Sequence, residues 1–98
     1  MYAATKASVR SFARSFTAEL KGIGPRVNVI SPGPIHTAGN AATLGGNEQV
    51  RESVTGMVPL GRIGEAEDIA KVAVFLASSE SGFVAGVELF VDGGINAV

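Results

Sequence analysis

Val9, Phe12, Ala13, Phe16 and Leu20 recur at helical spacing on one stripe, and the pattern predicts a helix over residues 1–21. Lys6, Arg10 and Arg14 follow each other four apart on a second row, which reads as a solvated face. Gly22, Gly24 and Pro25 end the helix, the glycines by accepting a left-handed conformation and the proline by refusing to continue. Residues 26–31 then read as a strand. Val27, Val29 and Ile30 form a short β-branched run bounded by Gly24-Pro25 and by Ser31-Pro32-Gly33-Pro34. A run this apolar, directly after a helix, suits a strand covered on both faces, as in a parallel sheet.

Between Pro32 and Gly64 the periodicity fades, with only Val50, Val54 and Val58 marking a short helix that Pro59 ends. An irregular stretch of this length inside a compact chain points to a functional role, and it is the natural place for a substrate lid. Residues 65–78 predict a further helix with Ile69, Val72, Ala73 and Leu76 on its buried face. Glu65, Glu67 and Asp68 crowd its first turn, where negative charge complements the amide dipoles. A second strand over 87–91 precedes Asp92-Gly93-Gly94, which reads as turn chemistry. The order helix, strand, loop, helix, strand predicts an α/β fold: the C-terminal part of a doubly wound parallel sheet, with residues 1–98 forming a single partial domain. Two strands leave two open edges, and the first helix has no preceding strand to cover.

Composition narrows the function classes. The 98 residues carry eight basic and nine acidic side chains, a net charge of -1, which excludes a nucleic-acid coat or an anionic-membrane binder. Without cysteine there is no disulfide framework, thiolate metal site or cysteine nucleophile, and His36 is the one histidine. No apolar run approaches the roughly 20 residues of a membrane helix, so the expected setting is cytoplasmic. Thirteen glycines fall between the periodic segments, where tight turns need them. The basic, acid-poor start also fits a transit peptide, but that reading leaves the rest of the pattern unexplained.

Candidate chemistry sits in two places. Tyr2 and Lys6, four apart on a helix, share one face, so a phenol and an ammonium can share a pocket. A free tyrosine, with a pKa near 10, is a poor base at neutral pH; a neighbouring cation favours the phenolate and suits it to moving a proton on or off an alcohol oxygen. The second place is the strand end, where Ser31-Pro32-Gly33-Pro34-Ile35-His36-Thr37 turns sharply and offers a hydroxyl. Ligands of open α/β sheets bind outside the carboxyl ends of strands. There Gly33 would let the backbone approach a flat ring and Thr37 could donate to a phosphate. His36 reads as solvent-facing.

These residues resemble the short-chain dehydrogenase/reductase family, in the branch that uses NAD or NADP. Tyr2 and Lys6 resemble its Tyr-x-x-x-Lys pair, Asn28 to Gly33 its strand and nicotinamide-side turn, and Gly61-Arg62-Ile63-Gly64 with Glu67 to Ala70 the entry to its last large helix. Phe83 to Gly86 and Val91 to Gly94 resemble its closing strand and turn, so the likeness runs along the whole chain. The resemblance implies that Tyr2 is the acid/base and that Lys6 bonds the nicotinamide ribose. It also implies cofactor contacts at Tyr2, Lys6, Pro32, Gly33, Ile35 and Thr37, with Ile35 meeting the carboxamide through its backbone. It implies an enzyme for a small alcohol/carbonyl pair, a homodimer or homotetramer, and no metal. Ala66 departs from the proline usual at the start of the last helix. The family's glycine-rich phosphate loop and its active-site serine and asparagine precede the tyrosine, so this chain contains half a cofactor site. A second reading is therefore a truncated, inactive chain that serves as an assembly or interaction module.

Overall fold

A computed structural model describes residues 2–37 and 48–97, the side chains of residues 2–7 excepted. Helix α1 spans Tyr2–Glu19, strand β1 Val29–Pro32 and the two-residue strand β2 Ile35–His36. Helix α2 spans Glu48–Met57, strand β3 Gly64–Glu65, helix α3 Ala66–Ala77 and strand β4 Glu88–Val91. Short 3-10 turns follow α3 and β4, at Ser79–Ser81 and Ile95–Ala97. Strands β1 and β4 pair in parallel from Val29↔Glu88 to Pro32↔Val91. A second parallel pair joins β2 to β3, with Ile35 opposite Gly64 and His36 opposite Glu65. The α/β architecture with parallel strands is as expected; the β2–β3 pair is an addition, since two-residue strands carry no periodicity.

Element ends follow from local hydrogen bonding. Gly22 and Gly24 take positive φ angles of 81° and 118°, closing α1 as the sequence indicates. The regular ladder of β1 starts at Val29 rather than at residue 26, because side chains take over before it. Arg26 donates to the carbonyls of Val84, Leu76 and Ser78, which include orphaned acceptors at the end of α3. Asn28 donates to the Val84 carbonyl and accepts from the Val87 amide, imitating a strand neighbour on both counts. At the start of α3, the Asp68 carboxylate accepts the Glu65 amide at 2.7 Å, so the acidic first turn acts as predicted.

Packing differs from the sequence pattern on α1. Ala13 is buried and Arg10 and Thr17 also face the sheet, whereas Phe12 and Phe16 stay exposed and stack on one another with centroids 6.0 Å apart. A Cβ on Gly86 would come within 3.2 Å of the Thr17 hydroxyl, so small size there lets the helix approach the start of β4. On α3, Ile69, Val72 and Leu76 are half-buried, but Ala73 is exposed.

Candidate functional site at the strand ends

Three anchors bring the candidate residues of the turn to the carboxyl end of β1. The Gly33 amide donates to the Val91 carbonyl at 3.0 Å, extending the β1–β4 pairing by one bond. The Gly64 amide then donates to the Pro34 carbonyl at 2.9 Å, attaching the far side of the turn to β3. The Leu60 amide donates to Gly93 at 3.0 Å, so the segment after α2 is tied to the turn after β4. Pro32, Gly33, Ile35 and Thr37 therefore lie within one short, doubly attached stretch. Because Gly64 bonds Pro34, the ladder leaves Ile35 with its own N–H and C=O directed to the opposite edge, away from β3.

Gly33 has a reason of its own within the chain to be glycine. A Cβ there would lie 2.6 Å from the Asp92 Cβ and 2.7 Å from its Cα, so the two turns touch backbone to backbone. Asp92 itself is buried and fully occupied. Its carboxylate accepts from the Gly94 amide, the Asn96 amide and the Asn96 side chain at 2.9, 3.1 and 2.7 Å. The Asn96 bond, ahead of the amide bonds, holds its pKa below the usual carboxylate range. The reading of Asp92 as turn chemistry stands.

Beside the turn lies a cavity of about 220 Å³ whose wall includes Ile35, Leu60, Arg62, Asp68 and Val91. Arg62 donates through both terminal nitrogens to Asp68, at 2.9 and 3.1 Å. That side-chain hydrogen bond comes first in lowering the Asp68 pKa to about 2 and in raising that of Arg62. His36 comes 3.8 Å from the Glu65 carboxylate at the β2–β3 pair, a loose contact between two partly exposed groups. Sequence reasoning singled out neither the Arg62–Asp68 fork nor this strand pair.

The backbone of α1 carries Tyr2 and Lys6 in its first turns; their side chains lie outside the described ones. The direction of the helix is nevertheless determined by its attachments. Thr17 lies against Gly86, before β4 begins, while Arg10 bonds Glu88 inside the sheet. The helix thus runs antiparallel to the strands, and its start extends beyond Arg10 toward their carboxyl ends. Tyr2 is eight residues from Arg10, about 12 Å along the axis at ~1.5 Å per residue. Arg10 and Arg14 are exposed, as the solvated-face reading has it, and Arg10 in addition reaches Glu88. Glu88 was legible as the lone charge in an otherwise apolar strand, a signal the periodicity did not weigh. Part of the supposed lid, residues 38–47, lies outside the described residues, and the predicted short helix within it is α2.

The family model described as enoyl-(acyl carrier protein) reductase matches residues 1–96. The chain belongs to this family, within the short-chain dehydrogenases/reductases. Over 94 residues, 96% of the chain, it is 45% identical to the L-rhamnose-1-dehydrogenase of Scheffersomyces stipitis. It is 42% identical over the same share to a 3-oxoacyl-(acyl-carrier-protein) reductase of Thermotoga maritima. The crystal structure of a gluconate 5-dehydrogenase from Burkholderia cenocepacia, in complex with NADP and tartrate, superposes on 99% of the chain with a TM-score of 0.85 and 36% identity. The chain spans 36%, 37% and 38% of these three proteins. No described helix is long and apolar enough to cross a membrane, and no metal-binding cluster occurs among the described residues.

Proposed function

We propose that the chain is the tyrosine-bearing part of an NAD(P)-dependent oxidoreductase that interconverts an alcohol and a carbonyl compound. Residues 1–98 form one partial domain of it. The observation that carries this reading is the direction of α1, which brings the turns bearing Tyr2 and Lys6 toward the strand ends where the Pro32–Thr37 turn begins. Tyr2 is the acid/base: its hydroxyl gives a proton to the carbonyl oxygen or takes one from the alcohol. Lys6 bonds the nicotinamide ribose and favours the tyrosinate through its charge.

The turn suits a nicotinamide cofactor. The family likeness assigns the Ile35 backbone to the carboxamide and Thr37 to a phosphate, and both lie in the turn that leaves the end of β1. Pro32 and Gly33 hold the turn that presents them. The cofactor supplies or accepts the hydride, while these residues bind it and move the proton. The relatives' names cover a sugar, a sugar acid and an acyl group carried on a protein, which have an alcohol/carbonyl pair in common. The exposed Phe12–Phe16 pair on α1 supports a homodimer or homotetramer as the working form.

The test grafts this chain in place of the matching 94 residues of the rhamnose dehydrogenase and follows nicotinamide absorbance with L-rhamnose. Tyr2→Phe should lower kcat on the order of 10²–10⁴-fold while leaving the fold intact. Lys6→Ala should weaken both cofactor binding and rate. A Tyr2→Phe graft that turns over normally would remove the assignment.

A further inference from the structure

The Glu88 side chain is 3% exposed, yet it carries a carboxylate. Arg10 donates to it from α1 through Nε at 2.8 Å, and Ser31 donates from β1 at 2.7 Å. One buried group on β4 therefore binds the helix and the neighbouring strand together. A buried ion pair is a poor device for stability, because desolvation offsets most of its attraction and apolar residues of similar size do as well. Its distinct property is direction. Ala13 packs against the sheet through apolar contact, which tolerates sliding, whereas short charge-assisted bonds admit little displacement.

We propose that Glu88, held by Arg10 and Ser31, is a positioning residue that sets how far α1 extends past the sheet toward the Pro32–Thr37 turn. The inference rests on the reading of Tyr2 as the acid/base. With Thr17 seated against Gly86 two turns further along, the helix is pinned at two points. Any slip at Arg10 is carried directly to Tyr2, on the same rigid rod. A displacement of about 1 Å at a reacting group is enough to cost about 100-fold in rate.

The experiment uses the grafted rhamnose dehydrogenase at a temperature where circular dichroism shows every variant folded. Glu88→Gln preserves size but removes the charge that strengthens both bonds, its amide now donating to the Ser31 hydroxyl. It should lower kcat about 10-fold and raise the cofactor KM a few-fold, because the slip that moves Tyr2 also moves Lys6 on the same helix. Arg10→Ala should behave alike, and Arg10→Lys should recover most of kcat. Should Glu88→Gln fail to fold, Ser31→Ala removes one hydroxyl and should lower kcat about threefold. A lowered melting temperature with unchanged kcat in the folded variants overturns the proposal. Tyr2→Phe separates the two failures. Loss of turnover there with intact Glu88 variants overturns the positioning role alone, and retained turnover there overturns both readings.

Discussion

Glu88, at the seam between α1 and the sheet, and Asp68, at the entrance of α3, each receive an arginine under contrasting conditions. The Glu88 side chain is nearly sealed from water, and its partners Arg10 and Ser31 lie 78 and 57 residues away along the chain. Asp68 is partly exposed, and its partner Arg62 lies only six residues before it. The first contact requires the sheet to have formed, whereas the second needs only one loop and one helical turn. Solvent screens the second pair and leaves it little to contribute, while the first lies against a carboxylate nearly sealed from water, where each bond to the charge counts for more. The two corners thus show that an ion pair's worth is determined by what surrounds it more than by its geometry, since both have bonds of good length.

The sharpest way to break this contrast is to delete one arginine at a time in the grafted enzyme and measure urea unfolding. Arg10→Ala should cost about 3 kcal/mol, the upper end for a hydrogen bond to a charged group, because the carboxylate it serves is nearly sealed from water. Equal losses from Arg10→Ala and Arg62→Ala would refute the comparison.

Gly33→Ala should come next. Its Cβ would meet Asp92 backbone and Cβ rather than the end of a flexible side chain, so the contact between the turns after β1 and β4 must open. A loss of about 2 kcal/mol in the same unfolding measurement is expected from such overpacking. Turnover should fall with it, because the turn carries Ile35 and Thr37.

The smallest effect belongs to Asp68→Asn, and it has a pH signature. The folded carboxyl titrates at about 2, below its ordinary 3.8, so its contribution is present above pH 3.8 and is lost as pH falls through about 2. Melting temperatures of the parent and Asp68→Asn grafts should differ slightly at neutral pH and converge near pH 2. A gap that widened on acidification would show that Asp68 is held by something other than Arg62 and the Glu65 amide.

Much of this molecule could be read before any coordinates. The helix stop at Gly22–Gly24, the acidic first turn of α3 and the turn-forming role of Asp92 depend on residues within a few positions of each other, and local bonding decided them. The same holds for the stretch from Pro32 to Thr37, whose residue order announces a sharp turn after a strand. Periodicity did less well on α1, where it grouped Phe12 and Phe16 with Ala13 although the helix presents Ala13 to the sheet.

What the linear order determined by itself is the identity and sequence of the elements, because helix period, strand run and glycine stop are short-range properties. Tertiary structure alone decided that Ile35 pairs with Gly64, that Gly33 must yield to Asp92 and that Arg10 and Ser31 converge on Glu88. Each of those contacts joins residues 29 or more apart, and nothing in the spacing of side chains along a strand or helix encodes which distant backbone will lie against it. The physical reason is that such contacts are fixed by how layers stack, a global minimum of buried area and satisfied hydrogen bonds, and the candidate site sits where those layers meet.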